Sequence, residues 1–577
     1  MTQTWRYAQS VSKPTVTPAY GRPYSEVSGL LPPLTTTTWG DFEPGNTATA
    51  TQRANDNDPF GEAEWTSSWL AASLLNYTTV GMYTTTVAAT PVPSSELVLP
   101  PPLPFSGKDC YEFKFPEKFM FGVAISASQQ EGAIALEGRT PTISETILRG
   151  GTSGATNYVA NEHYYLYKQD IERMAAIGAE YFSFTISWSR ILPFIFPHTP
   201  VNQRGVDHYD DVINSAINAG LKPVITLLHF DTPYAFVRDS VDLDFQIGGW
   251  RGGYDNFTFP DAYLHYAKLA ISLYGDRVSH WITFNEPMAH TNNAQGVRNV
   301  INCHADVWHW YHETYQGKGM IGMKQFDYFS APLDPSNASH VQAANNFNDF
   351  WTGTIYRPLC LGEDYPSIYK TSIANVTSLT KEELKHIGGS IDFIGLDMYA
   401  GVIALPKPGN FTPSSKLKCT PMSGACIGVD LADMTNAGWT VGYGSVAGGN
   451  TFSTGFFRAF FNYIDRTYKK PFILTEFGFS NTGDSEKDLD DARFDVPSSL
   501  FITSVLTEML ESIWLDGCNI IGAFVWTLID DWEFGTYEAK FGLQTVNPST
   551  QERSYKRSFF DYVDFVKSRM PNQEAIS

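Results

Sequence analysis

The segment HWITFNEP, His280–Pro287, decides how the rest of the chain is read. Trp281, Ile282, Thr283 and Phe284 make an apolar, β-favouring run that reads as the end of a buried strand. Asn285 and Glu286 follow where a strand should give way to a loop. A carboxylic acid at the mouth of a core is costly unless it is paired or used. If Glu286 serves acid–base chemistry, a partner is expected elsewhere in the chain.

Seven further runs share the character of this one: FMFGVAIS, YFSFTISW, KPVITLLHF, GMIGM, DFIGLDMY, PFILTEF and NIIGAFVW. Helical patterns lie between them. In VDHYDDVINSAINAG, Val206, Tyr209, Val212, Ile213, Ala216 and Ile217 recur at helical spacing, and Gly220 closes the segment. DAYLHYAKLAISLYG repeats the design. Nearly continuous apolar strands alternating with amphipathic helices imply a parallel sheet covered by helices. Eight such units predict an α/β protein with a closed (β/α)8 TIM barrel. A doubly wound sheet would want a glycine-rich phosphate loop after its first strand, and FMFGVAISASQQEG lacks one.

Residues 1–105 differ from residues 106–577, which are assigned to the barrel. The first segment contains TTTT, an uncharged stretch from Trp65 to Ser95 and the linker PVPSSELVLPPPLPF. Its Ser, Thr and Pro content predicts a partly ordered arm lying on the barrel, with a disordered glycosylated stalk as the alternative. WLAASLL, Trp69–Leu75, is expected to form a short helix within it.

The formal charge of −21, from 61 acidic and 40 basic residues, argues against nucleic acid or an anionic membrane as partner. No apolar run is long enough to span a membrane. The sequons at Asn76, Asn256, Asn337, Asn375 and Asn410 favour a secreted glycoprotein, with a cytoplasmic location as the alternative. Of six cysteines, Cys419 and Cys426 could close a short loop, whereas Cys110, Cys303, Cys360 and Cys518 lack zinc-ligand spacing. Neither a metal nor another cofactor is expected.

In such barrels chemistry collects at the C-terminal ends of the strands. The polar and aromatic residues at those ends are Gln129, His229, Asn285 with Glu286, Asp397 with Tyr399, Glu476 and Trp526. Glu476 is the partner that Glu286 calls for. Two carboxylates converging on one cleft are the apparatus of glycoside hydrolysis, provided that their environments keep one protonated and the other ionised. Read singly, His229 and Trp526 would suit a core and Glu533 a solvated loop.

TFNEP and TEFG, together with FPEKFMFGVA, YDDVINSAINAGLKPVITLLHFDTP and VWTLIDDWEFG, resemble glycoside hydrolase family 1, above all its fungal β-glycosidases. The resemblance runs from Phe113 to the C-terminal region. It implies a retaining β-glucosidase acting on small carbohydrate or aryl glycosides, with galactosides and transglycosylation within reach. It casts Glu286 as the acid/base and Glu476 as the nucleophile. Asn285 would bond the sugar 2-hydroxyl, while Gln129, Glu533 and His229 would hold other hydroxyls. Trp526 would form the platform beneath the ring, and Tyr399 would bond the nucleophile. A catalytically silent sugar-binding barrel and a phosphoglycosidase are the alternatives.

Several positions depart from the family pattern. Ser183 stands where the second strand usually carries an arginine, and Asp397 where the sixth carries an asparagine. Both changes leave Glu476 short of positive charge unless another cation substitutes. TEFG replaces the usual TENG. Phe230 and Phe534 take the places of two tryptophans, losing an indole N–H each. The identity of the preferred sugar is therefore expected to differ.

Overall fold

The computed structural model describes residues 6–37, 58–103, 112–148, 154–238, 252–290, 293–408, 427–445 and 450–571. Cys110, Cys419, Cys426 and the sequon at Asn410 lie outside the described residues.

The eight expected strands are β1 (Met120–Ala124), β2 (Tyr181–Thr185), β3 (Lys222–Thr226), β4 (His280–Asn285), β5 (Met320–Phe326), β6 (Phe393–Asp397), β7 (Phe472–Phe477) and β8 (Ile520–Trp526). They pair in sequence order as parallel neighbours, and β8 pairs with β1 to close a barrel. Buried residues on both faces explain why these strands read as continuous apolar runs rather than alternating ones.

Before the barrel, a single helical turn lies at Tyr24–Val27 and an 11-residue helix, α1, spans Glu62–Ala72. The helices that follow successive strands are α2 (His163–Ile177), α3 (Gln203–Ala219), α4 (Phe259–Tyr274), α5 (Ala294–His309), α6 (Lys381–Ile387), α7 (Phe457–Tyr468), α8 (Val496–Glu511) and α9 (Arg557–Ser568). In α3 all the residues expected at helical spacing are buried, and Gly220 ends it with φ 100°, a left-handed value that glycine adopts freely.

The expected helix at Trp69–Leu75 is corrected. α1 begins seven residues earlier and stops at Ala72, where Ser73 turns left-handed with φ 54°. Glu62 and Glu64 occupy its first turn, where acids favour the helix dipole. Trp65 and Trp69, one turn apart, turn the same face onto the barrel. Elsewhere in the arm, Thr36 and Thr37 pair with Val201 and Asn202 as a short parallel ladder.

β1 and β8 are tied from outside by Tyr562 of α9. Its hydroxyl lies 3.0 Å from Gly122 O and 2.9 Å from Ala523 O, and it accepts from Gly122 N at 2.9 Å. A Cβ at Gly122 would stand 2.1 Å from Tyr181 O, so only glycine lets β2 approach. Tyr562→Phe leaves these buried groups without the hydroxyl and is expected to cost about 1–3 kcal/mol. The check is a lower melting temperature with kcat and KM retained.

Candidate active site

Glu286 and Glu476 project from the ends of β4 and β7. Each strand has a register irregularity just before its glutamate, between Ile282 and Asn285 and between Leu474 and Glu476. Such irregularities re-aim a side chain at the rim of a sheet. Glu286 also has a left-handed backbone, φ 41°, and its N–H donates to Lys324 O at 2.9 Å.

The shorter way around the barrel from β4 to β7 passes β5 and β6, and both contribute to the site. Asn285 pairs in register with Lys324, and Glu476 with Asp397. Carboxylate oxygens of Glu286, Asp397 and Glu476 all lie within 4.8 Å of one another. The Lys324 ammonium donates to Glu476 Oε1 and stands 3.9 Å from Asp397 Oδ2. On the other oxygen of Glu476, Tyr399 donates at 2.8 Å. Lys324 is the cation for which Ser183 on β2 left a need. It reaches Glu476 from a different strand.

The charge balance follows from this geometry. Burial works against the Lys324 charge, but Asp397 and Glu476 more than offset it and hold the ammonium above the ordinary lysine range. Burial raises Glu286 well above its ordinary value, and the charges of Asp397 and Glu476 add to the rise while Lys324 opposes it. Asp397 is raised in the same way, by burial and then by Glu476, although Thr475 Oγ1 donates to its Oδ1 at 2.7 Å. Glu286 and Asp397 are therefore both shifted towards their protonated forms. The spacing of the three acids would suit a metal ion, but the Lys324 ammonium already supplies a positive charge among them.

Around this cluster stand buried polar groups without protein partners. Asn285 is fully buried, and neither its Oδ1 nor its Nδ2 has a hydrogen-bond partner. Gln129 follows β1; its Oε1 accepts from Ser126 Oγ at 2.6 Å, and its Nε2 has no partner. His229 Nε2 is 3.9 Å from Glu476 Oε1, and its Nδ1 has no partner. Burial, followed by the Lys324 and His290 charges, keeps the His229 ring neutral. These unpartnered groups on residues at the C-terminal ends of β1, β3 and β4 are available to a polar ligand.

The aromatic residues complete the wall. The rings of Trp526 and His229 stack with centroids 5.5 Å apart, and Trp526 Nε1 donates to Glu533 Oε1 at 3.0 Å. Glu533 is thus no solvated loop acid; burial and the Glu476 charge push it up to about 7. Phe230 packs on Phe534 at 5.4 Å and on His290 at 3.9 Å. Both phenylalanines have left-handed backbones, φ 60° and 45°. The structure thus gathers these expected residues in one connected set: His229 and Tyr399 meet Glu476, Trp526 meets His229 and Glu533, and Phe230 meets Phe534. Lys324 and His290 escaped the sequence reading. The signal for Lys324 was available: a lysine directly after the strand GMIGM is as costly to bury as Glu286.

The model of the family described as glycosyl hydrolase family 1 matches residues 111–570. The chain belongs to glycosyl hydrolase family 1. Among curated members, β-glucosidase 40 of Arabidopsis thaliana is 30% identical over 504 residues, covering 79% of this chain and 92% of the relative. Among solved family 1 structures, β-glucosidase 2 of Trichoderma reesei, in complex with Tris, superposes with a TM-score of 0.72 at 26% identity, covering 79% of this chain and 99% of that one. The Humicola insolens β-glucosidase, in complex with glucose, gives 0.71 at 26% identity, covering 79% and 99%. The protein is accordingly a β-glucosidase-type glycoside hydrolase.

Lys324→Met would leave the three acids without their cation. Removing one partner of a buried pair costs about 3–5 kcal/mol, so a marked fall in melting temperature is expected. Buried acids raised above their unfolded values bind protons in the fold, so stability falls as pH rises through the folded values. The loss should therefore be greater at pH 8 than at pH 5. Adding Ser183→Arg to the variant should restore part of it, and scanning calorimetry at both pH values checks the three statements.

Proposed function

We propose that this family 1 enzyme is a retaining β-glycosidase that cleaves β-glucosides, accepts β-galactosides and passes part of its glycosyl groups to other sugars. The observation that carries the mechanism is the approach of Glu286 and Glu476 oxygens to within 4.8 Å. Retaining enzymes hold their carboxyl groups about 5–5.5 Å apart, whereas inverting enzymes leave about 6.5–9.5 Å for a water molecule.

Glu286, held protonated, gives its proton to the glycosidic oxygen as the C–O bond breaks. Glu476, with Lys324 and Tyr399 donating to its two oxygens, attacks the anomeric carbon and forms a glycosyl ester. The leaving alcohol departs, and Glu286, now ionised, removes a proton from the water or sugar hydroxyl that resolves the ester. Microscopic reversibility then returns both glutamates to their starting states. Asn285, beside Glu286, is suited to bond the sugar 2-hydroxyl. Gln129, His229 and Glu533 take further hydroxyls, and Trp526 underlies the ring.

Relaxed sugar choice is supported by Phe230 and Phe534. A phenyl ring keeps an apolar face but donates no hydrogen bond. One neutral donor is worth about 1 kcal/mol, enough to change epimer selectivity several-fold without creating it. Phe534→Trp with Phe230→Trp should narrow the range of accepted sugars, as ratios of kcat/KM for aryl glucoside, galactoside and fucoside would show. Secretion as a glycoprotein is supported by the exposed sequons at Asn76, Asn337 and Asn375. A mobility shift on enzymatic deglycosylation tests it.

Two experiments address the mechanism. Glu476→Gly should lose hydrolysis, and azide should restore turnover of an activated aryl β-glycoside to the α-glycosyl azide. An inverted first sugar product from the wild-type enzyme would sink the retaining reading. The second experiment is the pH profile of kcat/KM, expected to be bell-shaped. Activity falls as pH rises through the Glu286 value because the acid is lost, so Glu286→Gln should remove the alkaline limb for substrates whose leaving group needs no proton. Lys324→Met should move the acidic limb upward, since the nucleophile then loses its cation. An unmoved limb would assign that task to another group.

A further inference from the structure

α1 lies outside the family match, which begins at residue 111, yet it packs against two loops of the active-site face. We propose that α1 is a positioning element for sugar recognition: it clamps the loops after β1 and β3, which carry Gln129 and Phe230. The inference rests on reading the pocket as a sugar site.

The clamp starts from two indoles. Trp65 and Trp69 are buried, and both ring N–H groups donate to the same carbonyl, Arg139 O, at 2.7 and 3.0 Å. A carbonyl oxygen has two lone pairs, so both bonds can form at once. The Arg139 guanidinium donates to Ile134 O at 3.1 Å and to Glu145 Oε1 at 2.8 Å, within the same loop. Glu145 Oε2 accepts from Thr142 N and Oγ1 at 2.6 and 2.8 Å. Asn157 Nδ2 then links Glu145 Oε1, at 3.3 Å, to Ser128 O, at 2.8 Å, the carbonyl next to Gln129. Buried charge-assisted bonds of this kind are stiff and leave little slack between their ends.

A second branch reaches the other loop. Ile143 N donates to Thr232 O and Tyr234 N to Pro141 O, each at 2.9 Å. Ser144 Oγ donates to Phe230 O at 2.5 Å, which fixes the peptide of a residue held at φ 60°. The end of α1 joins both loops in one apolar cluster, Ala72 with Ile143, Tyr234 and Val237. Trp65 and Trp69 form another with Ile134, Ala135 and Tyr158. The arm thus adds to the barrel a support for two pocket residues without touching the carboxylates.

The test is the double variant Trp65→Phe/Trp69→Phe in the full chain, which keeps two rings and deletes both N–H donors. Each lost bond corresponds to about a fivefold change. KM for an aryl β-glucoside should rise about five- to twentyfold with kcat changing less, and glucose affinity measured by titration calorimetry should fall alongside. The pH profile should keep its limbs, and Leu70→Ser, at a 65% exposed position on the same helix, should match the wild type. A double variant that melts lower but keeps wild-type KM and glucose affinity would overturn the proposal and leave α1 a purely stabilising element. Should the double variant not fold, the single variants Trp65→Phe and Trp69→Phe decide the matter by the same measurements. A wild-type chain that binds glucose without turnover would fail the glycosidase reading alone, and the titration still decides the clamp. One that does neither would overturn both.

Discussion

The ammonium of Lys324 is the interaction on which the site depends. Three carboxyl groups converge where β4, β6 and β7 end, and a closed barrel leaves them nowhere to separate. Without a cation their mutual repulsion and desolvation would drive protons onto all of them. With one cation, the acids divide. Glu476 receives the ammonium and the Tyr399 hydroxyl, while Glu286 and Asp397 are pushed towards the protonated state. A lysine on β5 thus creates from three similar groups the inequality that acid–base catalysis requires. Tyr562, which bridges β1 and β8, helps to keep the ring of strands closed around this cluster.

The substitution pattern becomes coherent when its charges are taken together. A lysine on β5 stands in for an arginine on β2, so Ser183 can be small and neutral. Asp397 then lies 3.9 Å from the ammonium, where an asparagine would offer no charge. A carboxylic acid and an amide have nearly the same shape, and burial with the Glu476 charge moves Asp397 towards its neutral form. The pocket carries this cluster beside unpartnered groups on Asn285, Gln129 and His229. A polyhydroxylated ring can satisfy such groups together.

Most of the fold was legible in the chain because a parallel barrel writes itself as apolar runs at regular intervals, separated by helical periods. The two glutamates were legible because a carboxylate at the end of such a run contradicts its surroundings. Lys324 was equally contradictory, but its meaning depends on register: only the pairing of Asn285 with Lys324 sets it beside the acids. The start of α1 was hidden for another reason. EAEWTSSWLAA has no extended apolar stripe, and its two indoles find their shared carbonyl 74 and 70 residues onward. Phe230 and Phe534 were marked by motif, but their mutual contact belongs to the folded loops alone.

Phe230, Glu286 and Phe534 all sit in the left-handed region of backbone space. A residue with a branched β-carbon is strongly disfavoured there, because its side chain crowds the adjacent carbonyl. The routes by which this pocket can diverge are therefore unequal. Phenylalanine can exchange with tyrosine, tryptophan, asparagine or glycine at modest conformational cost, whereas valine, isoleucine and threonine are closed off by the main chain before any sugar is considered. Selection acting on sugar preference in this lineage works within an alphabet that the backbone has already shortened.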